Sequence, residues 1–412
     1  MAVAKASSKG ILRSPYFWAI AIRMLMMVVV PRQLQGDAGD YEQLATNIAN
    51  GHGFSRCFSE PFVPTAQRPP LYPLILALVY KTGINHSYGA ILLNLLFDLI
   101  TMWIAKQWGE SLRFKWSKFI PWVIGLCPLL ITYGMYPSSE NISITLFFVA
   151  LFLTSRMWPV AAGLMWGILS LGRSYFLLFP VFLWFFSPSK RWKMKDLTVM
   201  ALLSFLAPGL WMIRNVQSVD RFAFSQTATV GWQSYQGLCY PNFDWWNPQD
   251  LSSILNDPIV SQMTRTHCSS QDEIEAIDQQ IKQLTYQCVT AHPVNAARNV
   301  LIKGIQLFTN WGLVLPYNRV PFVVQNIINA VLLFYWWCVI RVLAMRRKGN
   351  EDLEASIRFS LVCIGYIALV TLPFAVDARY LLGPFLSLLI CVFEIVKTPR
   401  KLVEAGLFFS AG

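Results

Sequence analysis

The sequence predicts an all-α polytopic membrane protein: a bundle of about ten transmembrane helices, with further helices along the outer membrane surface. Of its 412 residues, 55% are hydrophobic and only 14% are charged, whereas a soluble domain carries about 25% charged residues. The mean hydropathy is +0.44. The net charge of +12 would suggest nucleic-acid binding in a soluble protein. Here the basic residues cluster between apolar segments, as the positive-inside rule describes, and no nucleic-acid partner is expected.

Apolar segments approaching the roughly 20 residues needed to cross a bilayer define the spans. Lys5, Lys9 and Arg13 precede the first of them, which we interpret as a retained span rather than a cleaved signal peptide. The predicted spans cover residues 14–31, 88–108, 119–136, 140–155, 157–172, 174–187, 197–213, 321–342, 356–376 and 380–396.

Basic residues recur in alternate loops, and this alternation predicts the orientation of the chain. With the N-terminus inside, the cytoplasmic loops carry the clusters Arg113, Lys115 and Lys118; Arg156; Lys190, Arg191, Lys193 and Lys195; Arg341, Arg346, Arg347 and Lys348; and Lys397, Arg400 and Lys401. Both termini are therefore predicted to be cytoplasmic.

Three parts follow along the chain. Residues 1–213 form an N-terminal transmembrane module whose first outer loop, 32–87, is its longest polar segment. Residues 214–316 form an outer-face region with juxtamembrane helices. Residues 317–412 supply the C-terminal spans and a cytoplasmic tail.

The two outer segments contain helical patterns of their own. One helix is predicted after Asp40 and ends at Gly51, a common helix stop. Leu71–Thr82 is too short to span and too apolar for solvent, so we place it along the membrane surface. Residues 270–289 carry an amphipathic helical pattern, and residues 304–311 return to the membrane surface.

The first outer loop also holds the most informative polar residues, Asp37, Asp40 and Arg68. Charged groups at a membrane edge are costly and usually serve a function. Further polar residues are predicted at the same outer edge: Glu140, Arg173, Arg214, Asp377, Arg379 and Tyr380.

Each of these residues also has a structural explanation. Arg214, at the end of a span, is more often an interfacial anchor than a ligand. Arg173 could snorkel or pair with Glu140, and Arg379 could form a purely structural pair with Asp377. Their location on one face favours function, because arginine binds phosphate bidentately and a nearby carboxylate can act as a general base. That combination is the chemistry of a lipid-phosphate-dependent transferase.

Eight cysteines form no CxxC pair and no metal-ligand spacing. Four of them fall in apolar spans and are most simply small hydrophobic residues. Disulfides can form among the other four if their loops face an oxidising compartment, but the spacing selects no pairing. These four are Cys57, Cys239, Cys268 and Cys288.

A set of ordered motifs extends over nearly the whole chain. They are Asp37 four residues before Tyr41, ATNIANGHGFS, RPPLYP, PSSEN, LGRSYFLLFP, PGLWMIRN, AHPVNAARNVLIKGIQLF and RYLLGP. In this order the chain resembles the GT-C membrane glycosyltransferases that use polyprenyl-phosphate sugars. Within them it is similar to the protein O-mannosyltransferase-like group that includes the aminoarabinose transferase of lipid A.

The resemblance implies a GT-C-like bundle, with Asp37 as the catalytic residue and Arg68 as a contact of the lipid phosphate. Arg214 and Arg379 match motif positions and are expected to help bind the donor phosphate. Family members often have a second acidic residue where this sequence has Ala38. This difference weakens the expectation of a metal ion bridged by an acidic pair. No metal ligand or cofactor is assigned, and a divalent metal is left open. Supporting roles are expected for Asp40, Tyr41, Glu140, Arg173 and Tyr380.

The activity that this implies is an inverting sugar transfer on the outer face of a membrane, with a bacterial inner membrane as the expected location. The donor is a polyprenyl-phosphate sugar, and the acceptor hydroxyl belongs to a lipid, a glycan or a protein. No nucleotide is expected, since the chain has no glycine-rich phosphate loop. The alternatives are a transporter or flippase of a polyprenyl lipid, which needs the arginines but no base, and a ligase that uses a diphosphate donor.

Overall fold

A computed structural model describes residues 12–29, 37–187, 191–224, 230–239, 268–309, 336, 351–372, 374 and 378–396. Over these residues the fold is helical, and the one β contact is an isolated bridge between Ser55 and Pro64. The helices are α1 Pro15–Val29, α2 Asp37–Ala49, α3 Leu71–Lys81, α4 His86–Ser111, α5 Ile120–Gly125, α6 Pro128–Tyr133, α7 Glu140–Ser155, α8 Pro159–Gly172, α9 Phe179–Phe185, α10 Met194–Ser204, α11 Leu206–Val219, α12 Val230–Leu238, α13 Gln271–Ala291, α14 Pro293–Thr309, α15 Glu351–Thr371 and α16 Leu382–Val396.

The described residues contain three helical stretches long and apolar enough to cross a membrane: Tyr88–Ser111, Met194–Val219 and Glu351–Thr371. Shorter apolar helices, among them α1, α7 and α8, lie at other predicted spans. The all-α membrane class is therefore confirmed, while the count of about ten spans stays a prediction. The predicted span 321–342 lies outside the described residues apart from Trp336.

One predicted span, 119–136, is wrong as a single helix. It is divided into α5 and α6, and Cys127 between them has an extended backbone with φ −63° and ψ 115°. Pro128 follows at the first position of α6, and proline disfavours the helical conformation in the residue before it. The average hydropathy of residues 119–136 does not reveal this break.

The core of the bundle is aromatic, with Trp108, Phe147, Trp166 and Phe179 all essentially inaccessible to solvent. Helix α8 approaches α10 closely through Gly163 and Gly167. A Cβ atom added at these glycines would lie 2.5 Å from the Met200 carbonyl oxygen and 2.6 Å from that of Ser204, respectively. Small residues four apart allow such close backbone contact in membrane bundles.

A second apolar cluster holds the first outer loop against the bundle. Tyr41 of α2 and Tyr72 and Leu76 of α3 pack with Leu93 of α4 and Ile142 of α7. The other face of α3 is more accessible, and Leu78 is 65% exposed. This packing brings the beginning of α2 close to the beginning of α7, where the charged residues of the two elements meet.

Candidate active site

Helix α2 presents two carboxylates in its first turn, Asp37 and Asp40. Residues three apart lie on the same face of a helix, and negative charge is favourable at its N-terminus. Tyr41 turns into the protein instead, where its hydroxyl lies 3.2 Å from Ser139 Oγ and its ring meets that of Tyr72 edge-on. The buried tyrosine therefore fixes the rotation of α2, and the acids face the loop that follows.

Seven side chains of alternating charge form a continuous chain of ion pairs at this point, in which each carboxylate contacts two arginines. We call it the arginine–carboxylate chain. Its members in spatial order are Arg56, Asp40, Arg68, Asp37, Arg379, Glu140 and Arg173.

Arg68 joins the two acids of α2. Its Nη1 lies 2.8 Å from Asp37 Oδ1, and its Nε donates to Asp40 Oδ2 at 2.8 Å. Arg56 approaches Asp40 from the other side, with Nη2 2.7 Å and Nε 3.0 Å from Oδ1. Asp40 is thus held by two guanidinium forks, and its side chain is only 6% exposed.

Arg379 joins α2 to α7. Its Nη2 lies 3.2 Å from Asp37 Oδ2, and its Nη1 lies 3.1 Å from Glu140 Oε1. Arg173, just after α8, forms a further ion pair with the same oxygen of Glu140. Four separate parts of the polypeptide therefore meet at the site: the first outer loop, the beginning of α7, the residue after α8 and the turn before α16.

Asp37 is the accessible carboxylate of the three, with 39% of its side chain exposed against 4% for Glu140. Burial acts to raise the pKa of Asp37, but the charges of Arg68 and Arg379 outweigh it and hold the pKa below its ordinary value. Asp37 is therefore ionised at neutral pH and open to a bound molecule.

The arginine–carboxylate chain contains four arginines and three carboxylates. Counted together, these seven side chains carry one net positive charge. Positive charge at a buried or half-buried site attracts an anionic group because water screens it little.

An aromatic cleft opens beside Arg173 and Arg379, between α7, α16 and the turn that follows α8. It has charged groups at one end and apolar rings along its walls, and in this structure it has room for little more than a water molecule. The cleft is lined by Glu140, Ser143, Ile144, Phe147, Arg173, Tyr175, Phe176, Arg379, Tyr380, Gly383 and Pro384.

The structure does not bring every residue predicted for the site into the arginine–carboxylate chain. Arg214 has no carboxylate partner among the described residues. Its Nη1 donates to the Thr65 carbonyl at 2.9 Å, and its guanidinium lies over the rings of Phe54 and Trp211. Arg214 therefore supports the loop that precedes Arg68. Asp377 lies outside the described residues.

Tyr380 lies beside the arginine–carboxylate chain rather than within it. Its ring centre is 5.9 Å from the Arg379 guanidinium and 5.3 Å from the ring centre of Tyr175. Both rings are among the residues that line the aromatic cleft.

Sequence reasoning missed Arg56. It lies in the same polar loop as Asp40 and Arg68, and that location was its only signal. A separate ion pair lies inside the bundle, between Arg23 of α1 and Asp98 of α4. Arg23 Nε lies 2.6 Å from Asp98 Oδ2, and both side chains are fully buried.

Within the part of the chain that the structure describes, the carboxylates of the site do not form a divalent-metal centre. Among the described residues, no group of three or more His, Cys, Asp or Glu side chains is placed to hold one. The carboxylates of Asp37, Asp40 and Glu140 are each bound between two guanidinium groups instead.

No family model and no curated protein matches the sequence. Among solved structures, the chain is similar to AglB and ArnT. AglB is an archaeal oligosaccharyltransferase from Archaeoglobus fulgidus, solved with an inhibitory peptide and a dolichol-phosphate. It is 12% identical, with a TM-score of 0.46 over 95% of this chain and 51% of AglB. The chain thus spans about half the length of AglB.

ArnT from Cupriavidus metallidurans gives two further matches. The apo structure is 14% identical, with a TM-score of 0.37 over 94% of this chain and 78% of ArnT. The structure bound to undecaprenyl phosphate is 12% identical, with a TM-score of 0.42 over 97% and 80%. At such identities the activity of this chain has to be argued from its own residues.

Proposed function

We propose that this protein is an integral membrane glycosyltransferase that moves a sugar from a polyprenyl-phosphate donor to an acceptor hydroxyl. The observation that carries the proposal is the position of Asp37, an accessible carboxylate held between the guanidinium groups of Arg68 and Arg379. A carboxylate that can accept a proton and two guanidinium groups that can bind phosphate therefore lie in direct contact, which supports the proposal.

The excess charge of the site matches the donor. A polyprenyl-phosphate sugar is a phosphodiester with one negative charge, and the seven side chains of the arginine–carboxylate chain together carry one net positive charge. In the reaction, the acceptor oxygen bonds to the anomeric carbon, the bond from that carbon to the phosphate oxygen breaks, and the anomeric configuration inverts. The departing polyprenyl phosphate gains negative charge, which the arginines stabilise.

Asp37 accepts the proton of the acceptor hydroxyl in this scheme. Its lowered pKa makes it a weak base while both arginines bind it. A phosphate that takes up hydrogen bonds from Arg68 and Arg379 adds negative charge nearby and weakens their hold, so the pKa of Asp37 rises. Donor binding therefore prepares the base, and no proton needs to leave the site beforehand.

The first isoprene units of the donor are proposed to enter the aromatic cleft beside Arg173 and Arg379. Its walls must separate to admit them, because the cleft has room for little more than a water molecule in this structure. Its aromatic residues, Phe147, Tyr175, Phe176 and Tyr380, offer apolar contact at the point where the lipid must meet its phosphate. Asp37 then lies between the lipid and Arg68. In this position Arg68 can bind the phosphate at the oxygens nearest the sugar.

The site is proposed to face the outer side of a bacterial inner membrane, with both termini cytoplasmic. The support for this orientation is the alternation of basic loops in the sequence. An impermeant thiol reagent applied to single-cysteine variants of intact cells tests it. Labelling within 268–309, and not within 188–196, is the expected result, and the reverse would remove the outer-face assignment.

The activity is tested with purified protein in vesicles, a polyprenyl-phosphate sugar labelled in the sugar, and envelope extract from a deletion strain as the source of acceptor. We expect the label to leave the lipid and appear on the acceptor, with one free polyprenyl phosphate for each transfer. Movement of the intact donor across the vesicle without cleavage would instead identify a transporter. Transfer from diphosphate donors alone would identify a ligase.

A further inference from the structure

Two pairs of cysteines lie together in the outer segments, and only one of them is bonded in the structure. Cys239, which follows α12, forms a disulfide with Cys288 of α13. Cys57 of the first outer loop and Cys268, just before α13, are hydrogen-bonding neighbours through their thiols. Disulfides persist in oxidising compartments such as the bacterial periplasm. The first pair therefore places the second pair in an environment where thiols are oxidised.

Both sulfurs accept hydrogen bonds from residues of one short segment of the first outer loop. The backbone amide of Val63 and the hydroxyl of Ser55 hydrogen-bond to the sulfur of Cys57, and the amide of Phe58 hydrogen-bonds to that of Cys268. The thiol of Cys268 thus reaches into the loop that contains Cys57, although 211 positions separate the two residues. Cys57 is fully buried, and Cys268 is exposed.

We propose that Cys57 and Cys268 form a second disulfide, which ties the segment before α13 covalently to the loop that carries two arginines of the site, Arg56 and Arg68. The backbone at Cys57 is already fixed from the other side. Its carbonyl accepts hydrogen bonds from Gln43 Nε2 at 2.9 Å and Asn47 Nδ2 at 2.8 Å, and both donors belong to α2. The residue before it, Arg56, binds Asp40 of the same helix.

The bond forms by thiol–disulfide exchange with a protein disulfide oxidant. The exposed thiolate of Cys268 attacks one sulfur of the oxidant's disulfide and releases the oxidant's other sulfur as a thiolate. The thiolate of Cys57 then attacks the Cys268 sulfur and expels the oxidant. Two electrons pass to the oxidant's disulfide, which becomes a dithiol, and the two cysteine protons pass to its sulfurs or to water.

Groups that still face Cys57 in the mixed disulfide favour the second step. Burial raises the pKa of the Cys57 thiol, while the backbone amide of Val63, the hydroxyl of Ser55 and the charge of Arg56 lower it. These three groups stabilise the Cys57 thiolate, which is the form that attacks the mixed disulfide.

This inference concerns a covalent connection and stands apart from the transfer activity. The full-length protein is isolated from its native compartment without reductant, unfolded in the presence of an alkylating reagent, digested and analysed by mass spectrometry. We expect one linked peptide pair that contains Cys57 and Cys268 and another that contains Cys239 and Cys288. Alkylated Cys57 in protein whose Cys239–Cys288 pair is intact would overturn the proposal, as would a pairing of Cys57 with any other cysteine.

A second measurement uses the variant Cys239→Ser/Cys288→Ser, which leaves Cys57–Cys268 as the proposed disulfide of the outer segments. A single protease cut anywhere between residues 57 and 268 should give fragments that stay joined on a non-reducing gel and separate with reductant. Adding Cys268→Ser, at an exposed position, should separate them without reductant. Fragments that separate without reductant before Cys268 is changed would refute the connection.

Discussion

Arg379 Nη2 lies 3.2 Å from Asp37 Oδ2, although 342 positions separate the two residues in the sequence. The contact joins the first turn of α2 to the short turn before α16. Arg379 also binds Glu140, so one guanidinium group connects the accessible carboxylate to a buried one. A substitution of Arg379, or of Glu140 on its other side, is therefore expected to change the charge environment and the position of Asp37.

Asp37→Asn keeps the shape of the side chain and removes the proton acceptor. We expect transfer to fall by roughly 100- to 10,000-fold, the range typical of general-base loss, with normal membrane insertion. The matched variant is Asp40→Asn, at a carboxylate that is buried between Arg56 and Arg68 and should act by holding them. Turnover of the labelled donor is measured for both. A near-normal Asp37→Asn with an inactive Asp40→Asn would assign the base to Asp40.

The acid limb of kcat/KM should lie below the ordinary pKa of aspartate, about 3.9. Arg68 and Arg379 favour the ionised form of Asp37, so its pKa is lowered and the base stays available as the pH falls. Arg379→Ala removes one of these charges and should move the acid limb to higher pH. Arg214→Ala, which lies outside the arginine–carboxylate chain, should leave it in place. Identical pH profiles for wild type and Arg379→Ala would show that the acid limb does not report the ionisation of Asp37.

Arg68→Ala should weaken donor binding. A hydrogen bond to a charged group contributes about 1.5–3 kcal/mol, which corresponds to roughly 10- to 150-fold in affinity. Arg68→Lys keeps the charge but loses the planar fork, so partial binding and activity are expected. Binding of a polyprenyl-phosphate sugar to purified protein is measured, and the comparison is Arg221→Ala, at an arginine that pairs with Asp272 and Glu275 outside the site. Equal donor binding by wild type and Arg68→Ala would leave Arg68 with only the structural role of joining Asp37 and Asp40.

The buried pair of Arg23 and Asp98 should stabilise the fold only while both members are present. Asp98 also accepts a hydrogen bond from Asn141 at 2.7 Å, next to Glu140. Asp98→Asn leaves Arg23 charged and unpaired, and we expect a loss of about 3–5 kcal/mol in the free energy of unfolding. The double variant Arg23→Met/Asp98→Leu should recover most of it. The free energy of unfolding in detergent is compared for wild type, Asp98→Asn and the double variant. An unchanged free energy of unfolding for Asp98→Asn would contradict the pairing.

Gly167→Ala should separate α8 from α10. The added Cβ would lie 2.6 Å from the Ser204 carbonyl oxygen, a backbone atom that cannot rotate away. Overpacking of this kind costs about 1–3 kcal/mol. The control is Gly209→Ala in α11, where the new Cβ would meet no atom within 4 Å apart from its chain neighbours and the backbone of its own helix, and where alanine's helix propensity should be neutral or favourable. A lower unfolding temperature for Gly167→Ala alone is expected, and equal values would argue against close packing there.

Several features of the fold could be predicted because they depend on local composition. Helices at α2, α3 and α13 follow from short apolar and amphipathic patterns, and Ser270 with Glu273 forms a capping box at the beginning of α13. The break at Cys127 could have been found from Pro128, but an average over the whole segment conceals a single backbone dihedral. The role of Asp37 and of the donor-binding arginines stays a prediction.

By itself, the sequence determined that the chain is a helical membrane protein and which loops hold its costly charges, because hydropathy and charge clustering are properties of neighbouring residues. Only the tertiary structure decided which charges meet. It joined Arg56 and Arg379 to the acids of α2 and left Arg214 against Phe54 and Trp211. It also chose Cys288 as the partner of Cys239. Ion pairs and disulfides need contact within a few ångströms, and the packing of distant helices sets those distances.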